Sequence, residues 1–161
     1  MTDVVSINGW SSRLRLYLVV CAVVAFPGAC GGPSIGSEAE LRNWVDRGVA
    51  AAESKQRAAL VDMISPDYAD THGYDRDRVE GIFRAYFFRM NTIELLTTID
   101  EIMVIDDSAA ELLVTVGMAG RHDGLIGFSA DAYQFSLELT KDGGDWALIS
   151  ARWGQLGDEL R

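Results

Sequence analysis

Apolar positions along residues 41–64 recur at steps of three and four: Leu41, Trp44, Val45, Gly48, Val49 and Ala52, then Ala59, Leu60, Met63 and Ile64. That spacing puts them on one side of a helix, so an amphipathic helix is predicted from about Ser37. The polar stretch Glu53-Ser54-Lys55-Gln56-Arg57 interrupts the stripe and predicts a kink or a break into two helices. Pro66 ends it, because its ring disfavours helical backbone at Ser65. Residues 66–75, Pro-Asp-Tyr-Ala-Asp-Thr-His-Gly-Tyr-Asp, read as a loop or a short irregular strand. Another helix is expected from Asp75 to Asp77 onward, with Asp77 and Glu80 at capping-box spacing. Val79, Ile82, Phe83, Tyr86, Phe87 and Met90 form its buried, strongly aromatic face.

After Asn91 the period changes to two, which predicts strands. In the first, Ile93, Leu95, Thr97 and Ile99 alternate before the phase slips to Ile102 and Val104. A slip of one residue predicts a bulge near Asp100-Glu101 that bends the sheet. A turn at Asp106-Asp107-Ser108 leads to a second strand alternating Ala110, Leu112, Val114, Val116 and Met118. The third alternates Tyr133, Phe135, Leu137 and Leu139, and the hairpin loop Lys141-Asp142-Gly143-Gly144-Asp145 leads to a fourth from Trp146 to Trp153. Strands joined by short turns pair antiparallel. The fold class is therefore α+β, with N-terminal helices packed on a bent antiparallel sheet of four or more strands.

This order resembles the nuclear transport factor 2-like superfamily, the cone-shaped, cystatin-like fold shared with ketosteroid isomerases and polyketide cyclases. The resemblance is carried by the stripe from Leu41 to Ile64, the Ser65-Pro66-Asp67-Tyr68 segment, the helix ending in Tyr86-Phe87-Phe88 and the closing strand Trp146-Ala147-Leu148-Ile149-Ser150-Ala151-Arg152-Trp153, and it covers residues 38–154. It implies a pocket at the open end of the cone and, as in many members, a homodimer through the exposed sheet face. Members that isomerise or cyclise use a carboxylate or histidine base inside the cone, with a tyrosine or acid donating a hydrogen bond to the developing oxyanion. No residue of this chain maps onto such a set position by position.

The N-terminal thirty residues follow a different pattern, with Arg13 and Arg15 ahead of an apolar run of eleven residues, 16–26. This is the charge-then-apolar order of a signal peptide, and it is too short for a membrane span of roughly 20 residues. The following Pro27-Gly28-Ala29-Cys30 resembles the lipobox of bacterial lipoproteins, although Pro27 stands where that family usually has an aliphatic residue. The resemblance implies a signal peptide over residues 1–29, a diacylglyceryl-modified Cys30 anchored in the membrane and a flexible tether to residue 37. Gly31 after the cysteine points to an outer-membrane lipoprotein facing the periplasm. Once Cys21 is removed with the signal, Cys30 is the only cysteine left, and an odd cysteine in an exported chain calls for such an explanation. An ordinary secretory signal cut near Ala29 is the alternative.

With 24 acidic and 14 basic residues the chain has a net charge of −10, a surface that repels nucleic acid. The richest polar cluster is Asp67, Tyr68, Asp70, His72, Tyr74 and Asp75. His72, Asp67 and Asp70 are the candidate catalytic bases there, with Tyr68 and Tyr74 as ligand-binding hydroxyls. Ordinary loop chemistry explains the same residue types. Arg121 and His122, in the connection through Asp123-Gly124 to Gly127, are candidate ligand contacts on the longest interstrand link; a solvated turn is the alternative. Arg152 either enters the cone to receive an acidic group or faces water. A lone histidine lacks paired metal ligands, no cofactor is implied, and hydrolase and nucleotide motifs are missing. The leading expectation is a non-enzymatic envelope lipoprotein that binds a small hydrophobic ligand or an envelope protein. An isomerase- or cyclase-like enzyme working on a hydrophobic substrate is the second, and a structural dimerisation module with a filled cone is the third.

Overall fold

A computed structural model describes residues 35–122 and 128–161 of the chain. Cys30 with everything before it, and Asp123 and Gly124, lie outside the described residues. Three helices, α1 (Ile35–Glu53), α2 (Arg57–Asp62) and α3 (Arg76–Arg89), precede four strands, β1 (Met90–Val104), β2 (Ala109–His122), β3 (Phe128–Asp142) and β4 (Asp145–Gln155). The strands form one antiparallel sheet in the order β1-β2-β3-β4, so the α+β expectation holds.

The helical stripe breaks where the polar stretch predicts. Lys55 takes a left-handed backbone, φ 53, which redirects the chain between α1 and α2. The polar residues at this break also tie α1 to β1: the Lys55 ammonium donates to the Met90 carbonyl, and a Glu53 carboxylate oxygen accepts from the Leu95 amide at 2.9 Å. At its other end α1 begins at Ile35, so residues 35–37, assigned above to the tether, are helical and Ser37 is buried. Met63 and Ile64 leave the helix earlier than Pro66 requires. The Leu148 amide donates to the Met63 carbonyl and the Ser65 amide to the Leu148 carbonyl, both at 2.9 Å. This segment thereby covers the outer edge of β4, whose backbone groups need partners.

Two details of α3 correct the expectation. Its N-cap is Asp75, whose carboxylate accepts from the Arg78 amide at 2.8 Å, while Asp77 sits in the first turn, where its charge meets the positive end of the helix dipole. No α3 residue is buried: Val79 and Phe83 pack against the core, whereas Ile82 is 42% exposed and Phe88 91%. Met90, the last position of the expected stripe, is buried as the first residue of β1.

The β1 register jumps from Ile99 opposite Val114 to Glu101 opposite Leu113, leaving Asp100 as the extra residue. This predicted bulge lets Ile99 and Ile102 both pack on the core. Two further register shifts, unpredicted, fall at Asn91, between the pairs Met90–His122 and Thr92–Arg121, and at Ile149, between the pairs Glu138–Ser150 and Leu139–Leu148. The last hairpin is tighter than expected, because Asp142 pairs with Asp145 and only Gly143 and Gly144 turn the chain. Both have positive φ, 69 and 122, which glycine adopts without a Cβ clash. The concave face closes on α1, with Leu41, Trp44 and Val45 packed against Ala110, Leu112, Val114, Leu139 and Trp146. Among the described residues no helix is long and apolar enough to cross a membrane.

Candidate functional site

Strand alternation sets the lining of the cone. Pairing places Leu95, Met118 and Asp131 in one cross-strand row, Thr97, Val116 and Tyr133 in the next, and Ile99, Val114 and Phe135 in the third. Successive rows are two residues, about 7 Å, apart. Between α1 and the sheet lies a cavity of 200 Å³ lined by Trp44, Gly48 and Val49 from α1 and by Leu95, Thr97, Val114, Val116 and Phe135 among the strand residues. Its accessible wall is entirely apolar. Trp44 Nε1 and Thr97 Oγ1 are buried beside it and find no hydrogen-bond partner among the described residues.

A second, open depression of 430 Å³ lies along the β1–β2–β3 strands. Two neighbouring rows form it, Leu95–Met118–Asp131 and Leu96–Gly117–Ala132, together with Glu94. From α3 the Tyr86 hydroxyl reaches Met118 Sδ at 4.0 Å. Burial foremost, and then the neighbouring Asp131 carboxylate and Tyr133, push the Tyr86 hydroxyl pKa above its ordinary value. The sequence carried a signal for this group, since Asp131 stands in the same alternation as Tyr133 and Phe135, a carboxylate in an apolar phase.

The polar loop after α2 lies elsewhere and splits into two groups. Tyr68 is buried, and its hydroxyl donates to Asp70 Oδ2 at 3.0 Å. Asp70 Oδ1 accepts the His72 and Tyr74 amides at 2.9 Å each, so this carboxylate clamps the turn that follows it. Burial first, then the hydrogen bond to Asp70 and its charge, hold the Tyr68 hydroxyl pKa well above the usual tyrosine range. The second group is a stack: the exposed His72 ring lies 4.2 Å from Trp153 at 19° and 5.7 Å from Tyr74. Arg78 covers the Tyr74 ring at 5.5 Å. Asp67 is exposed, and its amide donates to Ser65 Oγ at 3.2 Å.

No protein-family model matches the sequence, and no curated protein is similar to it. Solved structures are similar in fold. A ketosteroid isomerase-like protein from Erwinia carotovora superposes with a TM-score of 0.62 at 13% identity, over 74% of this chain and 96% of its own. A candidate scytalone dehydratase from Novosphingobium aromaticivorans gives 0.70 at 10% identity, over 78% and 87%. For a hexachlorocyclohexane dehydrochlorinase from Novosphingobium barchaimii the values are 0.63 and 11%, over 78% and 89%. The fold is that of the nuclear transport factor 2-like proteins. At such identities the likeness is one of fold, and no residue's role transfers with it.

Within this nuclear transport factor 2-like cone none of His72, Asp67 and Asp70 lines the apolar cavity. Tyr68 and Asp70 come together, as do His72, Tyr74 and Trp153, but neither group opens on it. Arg121 and His122 belong to β2 rather than to a loop: Arg121 pairs with Thr92 and Phe128, and His122 with Met90. Sheet pairing continues past Met118, which shortens the connection to residues 123–127. Arg152 faces away from the cone, opposite Ser136, and donates to its Oγ at 3.2 Å in the open. Among the described residues no three His, Cys, Asp or Glu side chains are grouped to hold a metal ion.

Proposed function

We propose that the cone binds a small, predominantly apolar molecule and performs no chemistry on it. The observation that carries this reading is the 200 Å³ cavity with a wholly apolar wall. A cavity of about 150 Å³ lined by aliphatic and aromatic side chains is known to stay dry and to take benzene, so the space here suits one ring or a short branched chain. Acid and base groups on the wall would argue for proton transfer. The Asp70 carboxylate and His72 are instead spent on a turn and a surface stack, and Asp67 is exposed. The protein is further proposed to work in the bacterial cell envelope, held by lipid on Cys30 in the outer membrane; residues 16–26 and Gly28-Ala29-Cys30 support this.

Titration of the full chain with propylbenzene, followed by the methyl resonances of Val114 and Val116, tests the binding reading. Saturable shifts are expected in the wild type, and Val116→Phe, which fills the space, abolishes those of the remaining reporter, the Val114 methyls, while the far-ultraviolet spectrum is retained. Shifts that persist unchanged in Val116→Phe, or that never appear up to the solubility limit, contradict the reading. For the anchor, Cys30→Ser is expected to release the protein into the soluble fraction, and membrane association without any lipid mass on Cys30 contradicts it.

A further inference from the structure

We infer that the domain stands end-on at the membrane. The end formed by the start of α1 and the β1–β2 and β3–β4 turns faces the phospholipid head groups of the bilayer that holds Cys30, and the cavity-bearing end faces away. This rests on the reading of Cys30 as a lipid anchor and adds which surface of the cone meets the membrane. Hydrogen bonds define the two ends. At the near end Glu40 of α1 accepts from the Lys141 ammonium, and the Lys141 amide donates to the Ser108 carbonyl at 2.8 Å, so the start of α1 lies beside both turns. At the far end Glu53, which closes α1, accepts from the Leu95 amide, and Lys55 donates to the Met90 carbonyl. Leu41, Leu112 and Leu139, all fully buried, fill the near end together with Trp146. The apolar cavity lies further along α1, against Gly48 and Val49.

Lengths decide the direction. With 19 residues from Ile35, α1 is about 28 Å long. Only residues 31–34 separate it from Cys30, and a chain of that length, fully extended from Cys30 to Ile35, spans at most about 18 Å. With the far end on the bilayer, Ile35 would stand about 28 Å above the surface, out of reach of an anchored Cys30. Charge opposes lying flat on the sheet: Glu94, Glu101, Glu111 and Glu138 alternate onto its convex face, and an anionic phospholipid surface repels them. The exposed Asp106 and Asp107 of the β1–β2 turn keep the near end at the head groups, because unpaired carboxylates do not enter hydrocarbon.

The test uses two variants of the full chain, Asp107→Cys at the near end and Arg89→Cys beside Met90 at the far end; both positions are exposed. Each is expressed with residues 1–29 in place and labelled with a fluorescent maleimide, which a lipid-blocked Cys30 does not take. The labelled proteins are reconstituted into vesicles of phosphatidylethanolamine and phosphatidylglycerol that carry an energy acceptor on the head groups. Energy transfer is expected to place the Asp107 label about 20–28 Å nearer the head groups than the Arg89 label, the length of α1 less its tilt. A Gly-Ser stretch of about 15 residues inserted after Gly32 should erase most of that difference, because the chain then reaches past the full length of α1. Equal distances for the two labels, or a nearer Arg89, overturn the orientation while the anchor stands. A difference that survives the insertion overturns the short tether as its cause. Protein that stays free of the vesicles and carries no lipid mass on Cys30 overturns both readings.

Discussion

Asp67 and Asp70 show how far residue type alone carries an argument. Both are carboxylates on the same loop, and by composition each is an equal candidate for a base. The difference lies in which atoms reach which amides: Asp70 holds the Tyr68 hydroxyl and two backbone amides, while the Asp67 side chain points to solvent. Asp70→Ala therefore strands a buried phenol and opens a turn, and it should cost about 2–3 kcal/mol of stability. Asp67→Ala should fall within about 0.5 kcal/mol. Urea midpoints of the two variants check this; similar losses from both would mean that the clamp is unimportant. The cluster was legible in the sequence because its residue types concentrate in ten positions. Its division into a clamp and a stack was not, because Trp153, against which His72 stacks, comes from β4.

At the scale of elements, local signals did well where the cause was local and failed where a distant partner imposed the outcome. The α1–α2 break follows from a polar run and the β1 bulge from a phase slip, both readable within a few residues. Met63 and Ile64 kept helical spacing yet became the cover of β4, a demand set by an edge some 80 residues downstream. The union of α1 with the β3–β4 hairpin is another long-range tie: Glu40 Oε2 accepts from the Lys141 ammonium at 2.6 Å and from Trp146 Nε1 at 3.1 Å. The Lys141 hydrogen bond, and then that of Trp146, hold the Glu40 carboxyl below its ordinary value of 4.5. A carboxyl depressed in the folded state stabilises it fully above the unfolded value, and that contribution disappears as pH falls through the folded one. The fall in melting temperature on acidification below about pH 4.5 should accordingly be shallower in Glu40→Gln than in the wild type. Parallel curves for the two proteins would remove Glu40 from the acid response.

The whole molecule differs from its sequence-level description chiefly in having a space that no single element predicts. Alternation named the strand residues around that space, but the gap itself depends on how closely α1 approaches a bulged sheet, and Gly48 sits at that approach. A Cβ built there would meet the flexible end of Met63 at 3.4 Å, a contact that the thioether can relieve. Alanine also favours a helix interior over glycine by about 1 kcal/mol. Gly48→Ala should thus raise stability by about 0.5–1 kcal/mol while taking a methyl's volume from the cavity and weakening propylbenzene binding about threefold. The two effects belong together if glycine is retained to keep the space open, since a site that must stay empty until its ligand arrives forgoes packing energy. Paired urea unfolding and methyl-shift titrations on the one variant measure both. A gain in stability with binding unchanged would place the ligand outside the cone.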